Sequence, residues 1–96
     1  MVKFTFEWDQ RKAAENLQKH GVSFTLAQQA FFDAKRVVAR DLKHSKGEQR
    51  YYCMGRVEDA VLTVRFTLRG RVIRIIGTGY WRKGRKVYEE QNQIHE

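Results

Sequence analysis

Hydrophobic and polar positions change their period twice along the 96-residue chain. FTFEW (4–8) alternates aromatic and polar residues, which predicts a short strand. The spacing then becomes helical. Asp9 stands where it can cap a helix over about 10–20, with Ala13, Ala14 and Leu17 on one face and Arg11, Lys12, Glu15 and Gln18 elsewhere. Gly21 is a natural left-handed terminator, and Ser23 caps a second helix over about 24–33 whose apolar stripe is Leu26, Ala27, Ala30 and Phe31. After Asp33 the period returns to two. RVVAR (36–40) predicts a strand and DLKHSKGEQ (41–49) a polar loop. YYCMGRV (51–57), AVLTVRFTL (60–68) and RVIRIIG (71–77) predict three more strands, joined by turns at Glu58-Asp59 and Arg69-Gly70. A mostly polar helix over about 83–93 closes the order β-α-α-β-β-β-β(-α). That order predicts an α+β domain, a small antiparallel sheet with its N-terminal helices packed on one face.

The pleat turns this reading into a statement about side chains. With Arg69-Gly70 as a two-residue turn, residue 68 pairs with 71, 66 with 73, 65 with 74 and 64 with 75. Leu62, Val64, Phe66, Ile73 and Ile75 then share the core face. Thr63, Arg65, Thr67, Val72, Arg74 and Ile76 share the other, with Arg65 directly across from Arg74 and Tyr52 beside Arg65. Like charges directly opposite are destabilising, so either a carboxylate or an anionic ligand should lie between them. Two guanidinium forks with a phenol alongside suit phosphate and base stacking together.

Composition narrows the partner. Ninety-six residues suit a single domain spanning 1–96, with enough aromatic residues for a packed core. No apolar run approaches a membrane span, and MVKFTFEWD carries acids where a signal peptide needs an apolar core, so a cytoplasmic location is expected. Cys53 is alone, no Cys/His spacing suggests a metal site, and no cofactor motif is present. The net charge of +8 and a pI near 10.0 suit a polyanion. Residues 60–88 contain no acid, while Arg65, Arg69, Arg71, Arg74, Arg82, Lys83, Arg85 and Lys86 all fall there. No helix is basic along one face in the manner of a major-groove reader, which argues against a protein that binds DNA by itself.

FEWD (6–9), NLQKHGVSF (16–24), DLKHSKGEQRY (41–51) and the segment from Thr67 through Arg69-Gly70 to Arg74-Ile75-Ile76 follow one pattern in order. In these motifs the chain resembles the BrnT family, ribonuclease toxins of type II BrnT–BrnA toxin–antitoxin systems. The resemblance implies a RelE-like fold whose small twisted sheet presents basic residues to RNA. It also implies a hetero-oligomer with a BrnA-like ribbon-helix-helix antitoxin, and DNA binding only through that antitoxin. The pattern R-I-I-S-A-R is met by Arg74-Ile75-Ile76, then departs at Gly77-Thr78-Gly79, where the second arginine is absent. Tyr88 is kept, but Gly84 stands where the family has glutamate. These departures leave room for a second reading, a non-catalytic module that pairs with an antitoxin for DNA-bound autoregulation.

Cleavage by 2′-hydroxyl attack needs a base, charge stabilisation at phosphorus and an acid for the leaving 5′-oxygen. By resemblance to RelE-like toxins, Arg65 and Arg74 stabilise charge, and Tyr52 or Tyr80 positions or exchanges protons. His44 is the alternative base, because histidine titrates closest to neutral pH, although His44, Ser45, Gly47 and Glu48 could equally order the loop. Tyr80, Trp81, Arg82, Lys83, Arg85 and Lys86 form a basic-aromatic run expected to bind RNA. Trp81 stacks a base there, anchors the antitoxin, or packs in the core, a part that Trp8 suits better because FTFEW begins the sheet. Arg82 or Lys83 is placed to reach the phosphate that the absent arginine would have held.

Overall fold

A computed structural model describes residues 3–94 and follows the expected order of elements. β1 (Thr5–Trp8) leads into α1 (Gln10–His20). The Asp9 carboxylate caps α1 by accepting from the amides of Arg11 and Lys12, at 2.8 and 3.2 Å, and Gly21 ends it at φ 69°. Ser23 caps α2 (Phe24–Ala27) by accepting from Leu26, after which the chain tightens into a 3-10 segment, Gln28–Phe32. β2 (Val37–Arg40), β3 (Arg50–Val57), β4 (Ala60–Arg69) and β5 (Val72–Gly79) follow, then α3 (Arg82–Gln91). None of these helices is long and apolar enough to cross a membrane.

The sheet order is β1-β5-β4-β3-β2. β2 through β5 pair antiparallel, but β1 runs parallel to β5, so the sheet is mixed where a purely antiparallel one was expected. The long excursion through the helices returns β1 to the far edge beside the last strand, where no hairpin constrains its direction. Val22, Phe24, Ala27, Ala30 and Phe31 pack on Cys53, Leu62, Val64, Phe66, Ile73 and Ile75, the core face read from the alternation. Gly55 permits the closest approach, since a Cβ there would overlap the Ala30 carbonyl. Burial pushes the Cys53 thiol up to about 12, which makes it an inert core residue.

Two parts of the pattern were misleading. On α1 the buried residue is Asn16, whereas Leu17 is 51% exposed. The Asn16 amide donates to the carbonyls of Val22 and Thr78, and its oxygen accepts from the Thr78 amide at 3.1 Å. A polar side chain satisfied three times can take a core position that hydropathy assigns to leucine. Aromatic character does not guarantee burial either: Phe32 is 60% exposed, although its ring meets Phe4 at 5.2 Å.

α3 lies on the opposite face from α2 and covers one end of it, with Tyr88, Met54 and Val61 forming a second small core. Its anchor is Asp33. That carboxylate accepts from the Lys35 amide at 2.9 Å, the Arg56 amide at 2.7 Å and the Tyr88 hydroxyl at 2.6 Å. Burial works to raise the Asp33 pKa, but these hydrogen bonds outweigh it and the group lies below the ordinary carboxylate value. Replacing Tyr88 with Phe should therefore destabilise the fold by about 1.5–3 kcal/mol at neutral pH, the worth of a hydrogen bond to a charged acceptor. Because the folded pKa is the depressed one, this stabilisation is present above the unfolded value and fades as pH falls through the folded one. Denaturant melts of both proteins from pH 7 down to pH 2 check it, and the gap between them should close at the acid end.

Candidate nucleic-acid interface and active site

The β4–β5 hairpin decides the site. Arg69 pairs with Val72, Thr67 with Arg74 and Phe66 with Ile75, so the turn is Gly70-Arg71 and the register lies two away from that expected. The reason is local. Gly70 has φ 62° while Arg71 does not take a positive φ, which is the type II′ pattern with glycine at the first central position. A shift of two preserves which face each side chain takes while changing its partner. Arg65 and Arg74 therefore share a face but do not stand opposite each other. Arg74 faces Thr67 on one side and Glu7 of β1 on the other, and its Nη1 meets the Glu7 carboxylate at 2.7 Å. A carboxylate thus answers the Arg74 charge, as one of the two remedies requires.

The register shifts again between Arg65 and Phe66: Arg65 pairs with Gly77, which leaves Ile76 as an extra residue on β5. Gly77 and Gly79 thereby come onto the same face as Arg65 and Thr63. Gly77 lies beneath the Arg65 side chain. Gly79 lies beneath the Trp81 indole, where a Cβ would stand 2.7 Å from Cε2. At Gly84 a Cβ would collide with the Thr63 hydroxyl and come within 3.2 Å of Met54. The glycines that depart from the family pattern are the positions where a ring and a helix lie directly on the sheet.

Three rows now cross this face. Met54, Thr63 and Gly79 lie under α3 and Trp81; Tyr52, Arg65 and Gly77 form the middle row; Arg50, Thr67, Arg74 and Glu7 form the outer one. Tyr52 stands directly across from Arg65, as the pleat predicts. Arg65 is half-buried, has no carboxylate partner among the described residues, and keeps Nε buried without a hydrogen-bond acceptor. Arg50, not singled out from sequence, also has a buried Nε without an acceptor, and Glu48 is 3.9 Å from its Nη2.

Asp41 is the second residue the sequence reading missed. It is 4% exposed at the end of β2 and accepts from His44 twice, from its amide at 3.2 Å and from ring Nδ1 at 3.0 Å. Ser45 completes the turn by donating to the Asp41 carbonyl and accepting from the Arg50 amide. The D-x-x-H-S spacing carried this signal, since an aspartate caps backbone amides two or three residues on. Burial alone would raise the Asp41 pKa, but hydrogen bonds from His44 and Tyr52 hold it below the ordinary value. Tyr52 moves the other way: burial first, then the Asp41 carboxylate, raise its pKa, and the Arg65 charge opposes them. Tyr52 is therefore a protonated phenol at neutral pH and a hydrogen donor. The loop is therefore ordered: His44 is hydrogen-bonded to Asp41, and the Asp41 charge is felt by Tyr52, which faces Arg65.

The basic-aromatic run divides. Lys83 and Trp81 join Tyr52, Ala39, Arg40 and Val87 around a hollow of about 430 Å³. Tyr80, Arg82 and Arg85 turn the other way, around a second hollow with Arg56, Asp59 and Glu89. Lys86 is simply exposed. Of the two tyrosines, only Tyr52 lies beside Arg65, and of the two proposed substitutes for the absent arginine, only Lys83 faces that side. Among the described residues, no three His, Cys, Asp or Glu side chains converge as a metal site.

Residues 8–84 match the family model described as "Ribonuclease toxin, BrnT, of type II toxin-antitoxin system". The chain belongs to the BrnT ribonuclease toxin family. The match begins at Trp8 of β1 and ends at Gly84 of α3, so it contains Asp41, His44, Tyr52, Arg65 and Arg74. Membership implies an RNA substrate and an antitoxin partner. No curated protein matches the chain. Within this BrnT fold, Gly84→Ala should destabilise the protein by about 1–3 kcal/mol through overpacking, because the new methyl must push α3 away from Thr63 and Met54. A thermal melt beside the unaltered protein measures it, and an unchanged melt would show that α3 is not seated on the sheet.

Proposed function

We propose that the chain acts as one BrnT-like domain, a RelE-like, metal-independent endoribonuclease that inhibits translation in the cytoplasm. A BrnA-like ribbon-helix-helix antitoxin neutralises it in a hetero-oligomer, and DNA is met only through that antitoxin. The observation that carries the catalytic reading is the middle row of the uncovered face. There the half-buried Arg65, without a carboxylate partner among the described residues, stands across from Tyr52, and Asp41, whose charge acts on Tyr52, holds His44.

The chemistry follows from those positions. Asp41 engages His44 at Nδ1, which leaves Nε2 to take the 2′-hydroxyl proton. The freed oxygen attacks phosphorus while Arg65 meets the growing negative charge. Tyr52, which holds its proton, supplies it to the departing 5′-oxygen, leaving a 2′,3′-cyclic phosphate and a 5′-hydroxyl. Arg74, fixed by Glu7, adds positive potential from the next row. Trp81 and Lys83 border the hollow beside Tyr52 and suit a base and a neighbouring phosphate; Tyr80, Arg82, Arg85 and Lys86 form the outer basic rim.

The non-catalytic module rested on Gly79 and Gly84. Both now have packing reasons that leave Arg65, Tyr52 and His44 untouched.

Single-variant assays of RNA cleavage and growth inhibition, each beside a thermal melt, test the proposal. Arg65→Ala should lower cleavage by roughly 10²-fold or more without lowering the melt, since one preorganised charge-stabilising group is lost. His44→Ala should lose roughly 10²- to 10⁴-fold. Arg74→Ala should cost the fold at most about 1 kcal/mol, because its ion pair is half-exposed. Full activity in Arg65→Ala would overturn the assignment.

A further inference from the structure

The side of Arg65 away from Tyr52 opens onto a hollow of about 290 Å³ between α1 and the end of β5. Its floor is Gly77, whose absent Cβ would lie 3.7 Å from Asn16 Oδ1 and 4.0 Å from Arg65 Nη1. Lys12, Lys19 and His20 project along one side of α1, at i, i+7 and i+8, and line it together with Arg65. None of these three helix residues belongs to the basic run or to the middle row.

Charge and rigidity distinguish this hollow from an ordinary basic surface. The carboxylate lining it is Glu15, and that side chain reaches toward Arg11, at 3.5 Å on the exposed helix surface. Lys12, Lys19 and Arg65 have no carboxylate within ion-pair distance among the described residues. The walls are fixed: Asn16 ties α1 to Val22 and Thr78 with three hydrogen bonds, and the His20 ring meets the Trp81 ring edge-on at 5.5 Å. A cationic recess held open by a glycine floor and by a buried amide is preorganised for an anion.

We infer that this hollow is a second anion subsite, which takes a phosphate of the same RNA strand next to the phosphate held at Arg65. The inference rests on the ribonuclease reading. A polynucleotide carries a charge on every residue, so a strand that crosses Arg65 presents its next phosphate to whatever lies beyond. Beyond Arg65 lie Lys12, Lys19 and His20. Trp81, which also borders the hollow beside Tyr52, separates the two recesses, so that a base can lie on one side and the backbone can continue on the other.

The test uses a short fluorescein-labelled 2′-O-methyl oligonucleotide, which cannot be cut because the attacking hydroxyl is blocked. Its affinity is measured by anisotropy at several salt concentrations. For the full chain carrying Lys12→Gln and Lys19→Gln, the slope of log affinity against log salt should fall by about 0.7 for each cation that meets a phosphate. Affinity at low salt should weaken roughly tenfold with the melt unchanged. Arg69→Gln with Arg71→Gln removes equal charge from the exposed β4–β5 turn and should leave the slope nearly as it was. Equal effects in the two double variants would overturn the subsite, reducing it to bulk charge. A Lys12/Lys19 variant that binds the oligonucleotide like the control but loses its antitoxin complex would also overturn it, making the hollow a protein contact. Failure of the unaltered protein to bind the oligonucleotide would sink the ribonuclease reading as well, and so is distinct from either result.

Discussion

The pairing of β4 with β5 is the constraint on which the functional face depends. Gly70 sets where the hairpin turns, and the extra residue at Ile76 resets the register halfway along. Before the bulge, the strand presents Ile73 and Ile75 to the core and Arg74 to the other face. After it, Thr78 enters the core side and the two glycines come onto the outer face. Without that one-residue insertion, Arg65 would have no glycine beneath it and Trp81 could not lie flat against the sheet end.

Charge on this face is managed unevenly. Arg74 is answered by Glu7 across the parallel β1–β5 pair. Arg65, one row away, has no carboxylate partner among the described residues while half-buried. A protein gains nothing in stability from such a group, because desolvating a guanidinium without an acceptor is unfavourable. On the proposed reading, an anionic substrate supplies the missing acceptor. Asp41 shows the complementary arrangement: a buried carboxylate that accepts from the amide and ring of His44, with its pKa held below the ordinary value.

The helices serve this face in different ways. α2 and the 3-10 segment build the main core on the other face of the sheet. α1 is joined to β5 by a buried asparagine, which brings its lysines to the edge of the Arg65 row. α3 covers the opposite end, held by Asp33 through Tyr88, and so leaves Tyr52 and Arg65 at the boundary between covered and open sheet.

The residues by themselves determined a good deal. Alternation, caps and glycine terminators gave the order of elements, the core face of β4 and β5, and the Tyr52–Arg65 pair, because these depend on neighbours close in sequence or on a two-residue turn at Glu58-Asp59. The family motifs gave membership. What local pattern did not contain was partnership across distance. The Arg65–Arg74 pairing failed because moving a turn by one residue changes every partner while leaving hydropathy on each face unaltered. The parallel return of β1, which gives Arg74 its carboxylate, joins residues 67 positions apart. Asn16 in the core, Asp41 linked to Tyr52, and the division of the basic run between two hollows likewise arise from contacts between separate elements. Only the tertiary structure could decide them, because a side chain's charge and shape are written in the sequence, whereas the group that satisfies it is supplied by whatever the fold brings alongside.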